Sequence, residues 1–346
     1  MKAFVLAAGF GSRMVPLTET VPKPLLPVGQ IPLIGYSLKL LAANEITEVV
    51  VNTHHLGKTL KDRLGDGSDY GVSITYSEEE EILGTGGGLK RMQSVLDETF
   101  VVLNSDSVID LDLPAALAAH RAAGAIATMV LREDSNVEGF GAIDVDQENR
   151  VQRILGEGSD ADDLRALMFT GAHVIEPRFL EYLPPEVESC VIRYGYRKAL
   201  ANDETVVGYQ HHGFWADAGT PTRYLDVNRA ALDGTMKMSF ANPREGLSGP
   251  GEERAEGVTV GAGATIAEDA ILHAPVSIGD GAKIASGAVV GPNTVVGDKA
   301  TIAKGAQVRD SVVLRQAKVD GVFESAIVGR KATLTEAVGP AASAVV

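Results

Sequence analysis

The sequence predicts an α/β protein: a doubly wound, mostly parallel sheet followed by a left-handed parallel β-helix. Two observations carry this. Over the first 132 residues, short apolar runs at 3–8, 48–52, 72–76, 100–103 and 127–132 alternate with helical stretches. A brief apolar run closed by a turn signal reads as a buried strand, and strand–helix alternation builds a parallel sheet. Then an aliphatic residue recurs at every sixth position: Val260, Ile266, Leu272, Ile278, Ile284, Val290, Val296, Ile302, Val308 and Leu314. A six-residue period reads as three hexapeptides per coil of a β-helix, and ten corners predict slightly more than three coils. After 314 the phase slips, and 319–329 reads as an irregular cap.

The chain has 346 residues, room for two domains. The expected division is a first domain at 1–232, a linker at 233–256, the β-helix at 257–330 and a loosely held tail at 331–346. The net charge of −15 argues against nucleic acid or an anionic membrane as partner. With Cys190 as the only cysteine, no intrachain disulfide can form. No apolar run approaches the length of a membrane span, and Gly9, Gly11 and Arg13 interrupt the N-terminal run too early for a signal peptide. A cytoplasmic protein is expected.

The chemistry concentrates at residues 3–28, AFVLAAGFGSRMVPLTETVPKPLLPV. The strand at 3–8 ends at Gly9, and the loop carries Gly11, Ser12 and Arg13. Glycines let backbone approach a ligand, successive N–H groups make an anion site, and Arg13 adds a planar fork suited to phosphate. Lys23 stands between Pro22 and Pro24, which stiffen its backbone. This is a polyphosphate-binding pattern without a GxxxxGK[ST] string. Gly9-Phe10-Gly11 also begins a GxG, but Met14 stands where a dinucleotide fingerprint needs its third glycine.

Further along, a helix starting near Pro32 precedes the strand at 48–52. Gly84-Thr85-Gly86-Gly87-Gly88 precedes a helix expected at 89–96, and bare backbone there suits close ligand approach. The glutamates at 78–81 read mostly as a solvated loop. Asp106 follows the strand at 100–103, where α/β sheets bind ligands; alone it reads as a turn residue. Residues 139–146 and 151–154 read as a hairpin. Thr220 and Pro221 begin a helix that runs to Leu232, and Asp217 precedes it.

LAAGFGSRMVPLT…PKPLLPV resembles the signature LAxGxGTRLxPLTxxxPKPLxPV of the nucleotide-sugar pyrophosphorylases, the sugar-1-phosphate nucleotidyltransferases, with Ser12 for Thr and Met14 for Leu. The two-domain plan and the Gly84-Thr85-Gly86-Gly87 string resemble the mannose-1-phosphate guanylyltransferases of that family. The resemblance implies the nucleotide-diphospho-sugar transferase type of sheet. It also implies nucleotide contacts from Leu6, Ala8, Gly9, Gly11, Ser12, Arg13, Lys23, Gly84 and Thr85, with catalytic roles for Arg13, Lys23 and Asp106. Asn104-Ser105-Asp106 resembles the family's NxD motif, and Trp215-Ala216-Asp217 its WxD, which makes Asp106 and Asp217 the Mg²⁺ ligands. Gly141, Glu157 and Thr170 fall at sugar-binding positions. The family's Glu-Lys-Pro reads Glu157-Gly158-Ser159, so its phosphate-binding Lys is missing, with Arg153 and Arg165 as candidate substitutes. Phe169 stands where the family has Asn.

The reaction implied joins an NTP to a sugar 1-phosphate and releases pyrophosphate, GTP with mannose 1-phosphate being favoured. The alternatives are a UTP-dependent enzyme acting on N-acetylmuramic acid 1-phosphate or another hexose 1-phosphate, and a non-catalytic regulatory subunit. An acyltransferase reading would need a histidine base, and His273 is the only one in the β-helix. Homo-oligomerisation through the β-helix is an association this plan allows.

Overall fold

The computed structural model describes residues 1–246, 249 and 251–335. Its contacts divide the chain into two compact units. One comprises Met1–Gly9 and Ser37–Trp215; the other comprises Phe10–Tyr36 and the chain from Ala216 onward.

The first unit is built on a ten-stranded mixed sheet. Lys2–Leu6 lies between Glu48–Thr53 and Phe100–Asn104 and runs parallel to both, with Ser73–Glu78 beyond Glu48–Thr53. These strands read as continuous apolar runs because both faces are covered: Ala3, Phe4, Val5, Val51 and Val102 are all buried. The chain leaves Lys2–Leu6 toward one side and returns on the other at Phe100–Asn104. The ends of these two strands therefore form a topological switch point, where open α/β sheets bind ligands. The long strand Arg165–Ile175 runs antiparallel to Phe100–Asn104, Ala127–Arg132 and Ala142–Val145. The expected hairpin is present as Ala142–Val145 against Val151–Ile154, extended by Glu157–Gly158. Beneath the sheet, Phe179 and Tyr196 pack with Phe4, Val102 and Met129 in one apolar core. His173 is buried there and hydrogen-bonded to the Tyr196 hydroxyl at 2.7 Å; burial pushes its pKa down to about 3.

In the second unit, parallel strands stack into three sheets. Val258 pairs with Val276, Thr265 with Lys283 and Ile271 with Val289, so each coil advances by three hexapeptides. Inward residues of the period, among them Ile278, Val290, Ile302 and Val308, form one buried core. Two expectations need correction. The stack holds four coils and a further strand, Ala326–Val328. The stretch 319–329 is not irregular, since Gln307–Arg309 pairs with Val322–Glu324 and Val312–Val313 with Ala326–Val328. The reason is a change of step, not a loss of structure. Val295 pairs with Val312, where a full step would reach Val313, and Gln307 pairs with Val322, where a full step would reach Ser325. Val313, not Leu314, then continues the corner. Antiparallel strands close one of the sheets at both ends, Glu252–Ala255 on Val258–Val260 and Thr333–Thr335 on Ala326–Val328. Of the expected tail, 336–346 lies outside the described residues.

The same unit holds the segment from Phe10 to Tyr36, whose end opens the helix Leu33–Ala43. Within it, residues 27–30 latch onto the β-helix, the helix Pro221–Asp233 and Pro243. Gly29 N donates to Asn228 Oδ1 at 2.9 Å, and Gln30 N donates to the Pro243 carbonyl at 2.8 Å. Gln30 Nε2 donates to Ser277 Oγ at 3.0 Å, and the Tyr224 hydroxyl donates to the Pro27 carbonyl. A Cβ on Gly29, whose φ is +59°, would collide with the Pro243 carbonyl, so only glycine allows this approach.

Candidate active site

In the first unit, the loop after Lys2–Leu6 is held by buried polar groups. Ala7 N donates to Asn52 Oδ1 at 2.7 Å, and Asn52 Nδ2 donates to Glu79 Oε1 at 2.8 Å. Glu79 Oε2 accepts from Leu83 N at 2.8 Å. Asn52 and Glu79 are 2% and 5% exposed, so this chain of bonds ties the end of the first strand to the glycine segment in the protein interior. Ser105 Oγ donates to the Leu6 carbonyl at 2.6 Å, which fixes the turn that carries half-buried Asp106 to the end of the first strand. A Cβ on Gly9 would meet nothing within 4 Å, so the backbone there faces open space.

The glycine segment differs from expectation. The helix begins at Gly84 and ends at Arg91, so the glycines form its first turns and do not precede it. Glycine is a poor helix former; here close backbone packing offsets that cost. A Cβ would stand 2.6 Å from the Ser189 carbonyl at Gly84, and 2.6 Å from the Val187 carbonyl at Gly87. Gly86 N donates to the Ser189 carbonyl at 2.7 Å, and the Thr85 hydroxyl accepts from Val191 N at 2.9 Å. These glycines let the segment 187–191 lie against the helix.

The sugar-binding candidates fall in two places. Gly141 has φ +88°, and a Cβ there would collide with Leu155. Next to it Phe140 meets Trp215 edge-on at 5.8 Å, and the Arg132 guanidinium sits 5.5 Å over the Trp215 ring. Thr170 is buried, its hydroxyl donating to the Val130 carbonyl and its own carbonyl accepting from Trp215 Nε1 at 2.9 Å. Its visible role is to orient Trp215. Glu157 instead lines a cleft of about 770 Å³ with Ser159, Arg193, Arg197 and Lys198. Arg153 lies on the strand paired with Glu157–Gly158, bonded to Asp144 and donating to the Ser159 carbonyl at 3.3 Å, while Arg165 binds Asn149. The cation paired with the Glu157 carboxylate itself is Arg197, at 3.0 Å; its place on a helix after 191–196 gave no signal in the sequence.

In the second unit, Gly11 adopts φ +63°, and Ser12–Met14 form one 3₁₀ turn, with Met14 N donating to the Gly11 carbonyl at 2.9 Å. A Cβ on Gly11 would stand 2.9 Å from Thr18 Cγ2 and 3.1 Å from Lys23 Cβ. Lys23 opens a third 3₁₀ turn, after Leu17–Glu19, between its prolines and is 6% exposed. The glycine thus lets the Arg13 turn close down on Lys23. Asp217 ends the strand Trp215–Asp217, and Thr220 caps the following helix by accepting from Arg223 N at 3.4 Å. Arg13 Nη2 and both Asp217 carboxylate oxygens each stand 2.8 Å from the point a Gly219 Cβ would occupy. So Arg13 Nη2 and the Asp217 carboxylate both border the space beside Gly219. Asp217 Oδ2 accepts from Arg223 Nη1 at 2.6 Å; Arg223 carried no motif and was missed.

Among the described residues, no cluster of three or more His, Cys, Asp or Glu side chains forms a metal cage, and no helix is long and apolar enough to cross a membrane.

Residues 2–234 match the nucleotidyl transferase family, and residues 272–345 match the GMPPB C-terminal domain. A UTP–glucose-1-phosphate uridylyltransferase of Synechocystis is 32% identical over 68% of this chain and 65% of its own length. A mannose-1-phosphate guanylyltransferase of Mycobacterium tuberculosis is 32% identical over 79% of each chain. An N-acetylmuramate α-1-phosphate uridylyltransferase of Neisseria meningitidis is 35% identical over 68% of this chain and all of its own. The fold is also that of a Bacillus anthracis protein solved with a sucrose, at a TM-score of 0.59 and 24% identity over 70% of this chain and 98% of that one. With two thirds of its length matched and its signature loop, switch point and stacked coils in place, the chain belongs to the nucleotidyl transferase family, as a sugar-1-phosphate nucleotidyltransferase.

Proposed function

We propose that the chain transfers a guanylyl group from GTP to mannose 1-phosphate, giving GDP-mannose and pyrophosphate. The observation that carries this reading is the guanylyltransferase relative matching over 79% of both chains; the C-terminal match at residues 272–345 supports it. In this reading the sugar phosphate oxygen attacks the α-phosphorus in line and pyrophosphate leaves. Arg13 and Lys23 stabilise the charge that develops on the leaving group, as preorganised cations do. Gly9 and Gly11 bring bare backbone to the phosphates, and Gly84 and Thr85 border the base. Trp215 and Gly141 border the sugar, and Arg197 beside Glu157 takes the place of the family's missing lysine.

The donor chemistry fits a divalent cation. Asp106 and Asp217 are hard oxygen donors, and Mg²⁺ is commonly held by one or two carboxylates with substrate phosphates completing its shell. Mg²⁺ would neutralise the phosphates when bound.

A second reading is UTP with N-acetylmuramic acid 1-phosphate or another hexose 1-phosphate, favoured by the two uridylyltransferase relatives. Purified protein incubated with each NTP against a panel of sugar 1-phosphates, with pyrophosphate release as the signal, separates the two. Turnover with GTP and mannose 1-phosphate at the highest kcat/KM of the panel is the expected result. Higher kcat/KM with UTP would replace this reading by the second, and no release with any pair would remove both.

A further inference from the structure

The Asp217 carboxylate already has a cation. Arg223 Nη1 stands 2.6 Å from its Oδ2, with Asp217 13% and Arg223 39% exposed. The backbone of Arg223 is fixed in the first turn of Pro221–Asp233 by the Thr220 cap, while its side chain stays partly in solvent. Arg13 Nη2 borders the same space beside Gly219 as the carboxylate. Asp217 thus has one guanidinium bonded to it and a second bordering the same space, and a cation arriving there meets positive charge and an occupied oxygen. A charge-assisted bond at this distance is among the stronger side-chain contacts.

We propose that Arg223 is a displaceable counter-ion for Asp217, a positioning residue that competes with the divalent cation for this carboxylate. In the absence of metal it holds Asp217 in place and offsets its charge. A cation bound at this carboxylate works against the positive charge held at Oδ2, and one bound across both oxygens displaces it, so Arg223 lowers the affinity for metal alone. This rests on the reading of Asp217 as a metal ligand.

The test is direct binding of Mn²⁺, followed by its electron paramagnetic resonance signal in the absence of nucleotide and sugar. Arg223→Gln should bind Mn²⁺ roughly tenfold more tightly than the wild type, the size expected when a competing charge-assisted bond is removed. Arg223→Lys should stay near the wild type, and thermal melting checks that both variants are folded. Unchanged or weaker binding by Arg223→Gln overturns the proposal, since Arg223 would then orient Asp217 for the metal or do nothing. Asp217→Asn separates the two readings. If it binds Mn²⁺ as well as the wild type does, Asp217 is not a ligand and both ideas fall. If it loses binding while Arg223→Gln gains none, only the counter-ion role is lost.

Discussion

Glu79 receives the amide of Asn52 at 2.8 Å inside the first unit, and the same asparagine receives the backbone N–H of Ala7. A glutamate in a run of four is thereby part of the wall behind the first loop. Glu79→Ala would leave Asn52 Nδ2 and Leu83 N without their acceptor. Leaving a buried donor unsatisfied costs about 1–3 kcal/mol. Denaturant unfolding should show a loss of this order, whereas Glu80→Ala, in the same run and exposed, should shift the midpoint little.

Gly219 is open only because it lacks a side chain. Gly219→Ala places a methyl carbon 2.8 Å from Arg13 Nη2 and from Asp217. Displacement of such groups by about 1 Å can cost on the order of 10²-fold in rate. Pyrophosphate release should fall by about that factor, with a melting temperature close to the wild type. Full activity would mean that Arg13 and Asp217 are not held to this spacing for catalysis.

If Arg13 and Lys23 act on the leaving pyrophosphate, their loss should lower kcat and not only raise KM. Arg13→Ala and Lys23→Ala should each cost on the order of 10²–10³ in kcat, the range for one preorganised donor. Arg13→Lys should cost nearly as much as alanine, because a point charge does not reproduce the planar fork. Steady-state kinetics of the three variants decide it; a pure KM effect would reduce both residues to nucleotide binding.

Asn228 is 2% exposed, and its amide both accepts from Gly29 N and donates to the Pro27 carbonyl. Asn228→Ala orphans a buried amide N–H on the segment that follows Lys23, a cost of about 1–3 kcal/mol. The expected result is a lower melting temperature, with a smaller loss in Gln30→Ala, whose side chain is less buried. Equal stability of Asn228→Ala and the wild type would show that the latch is held by packing alone.

His173 gives a pH signature. Its pKa in the folded chain is about 3 because burial disfavours the charged ring; in the unfolded chain it is about 6.5. Between these values the unfolded state binds the extra proton, so stability rises with pH through this window and is level above it. The contribution approaches about 1.4 kcal/mol per pH unit. Unfolding free energies at pH 5 and pH 7 should differ less in His173→Gln than in the wild type.

The sequence shows its regular parts plainly. Apolar runs such as 100–103 and the hexad from Val260 to Val308 reflect local periodicity, and periodicity is written along the chain. What it conceals depends on partners far away. Glu79 looks like Glu80 until Asn52, distant in sequence, is seen beside it. The glycines at 84–88 suggest a ligand loop, and the sequence does not show that Gly84, Gly86 and Gly87 also admit residues 187–191 against the helix. Arg223 and Arg197 have no motif, because an ion pair constrains only a charge and a distance. The change of coil step after Val308 hides the last turns of the β-helix, since an inserted or missing residue ends a fixed-period pattern without ending the strands.

That change of step divides the β-helix into coils that are interchangeable and coils that are not. Where each coil spans three full hexapeptides, it presents the same register to its neighbour, so the gain or loss of a whole coil would leave every pairing above and below unchanged. Where the step falls short of that length, and by unequal amounts, each coil fits only the one before it. Removing one whole regular coil should therefore preserve the pairing on either side of the cut, whereas the shortened turns at Val312–Val328 match no other coil of the stack.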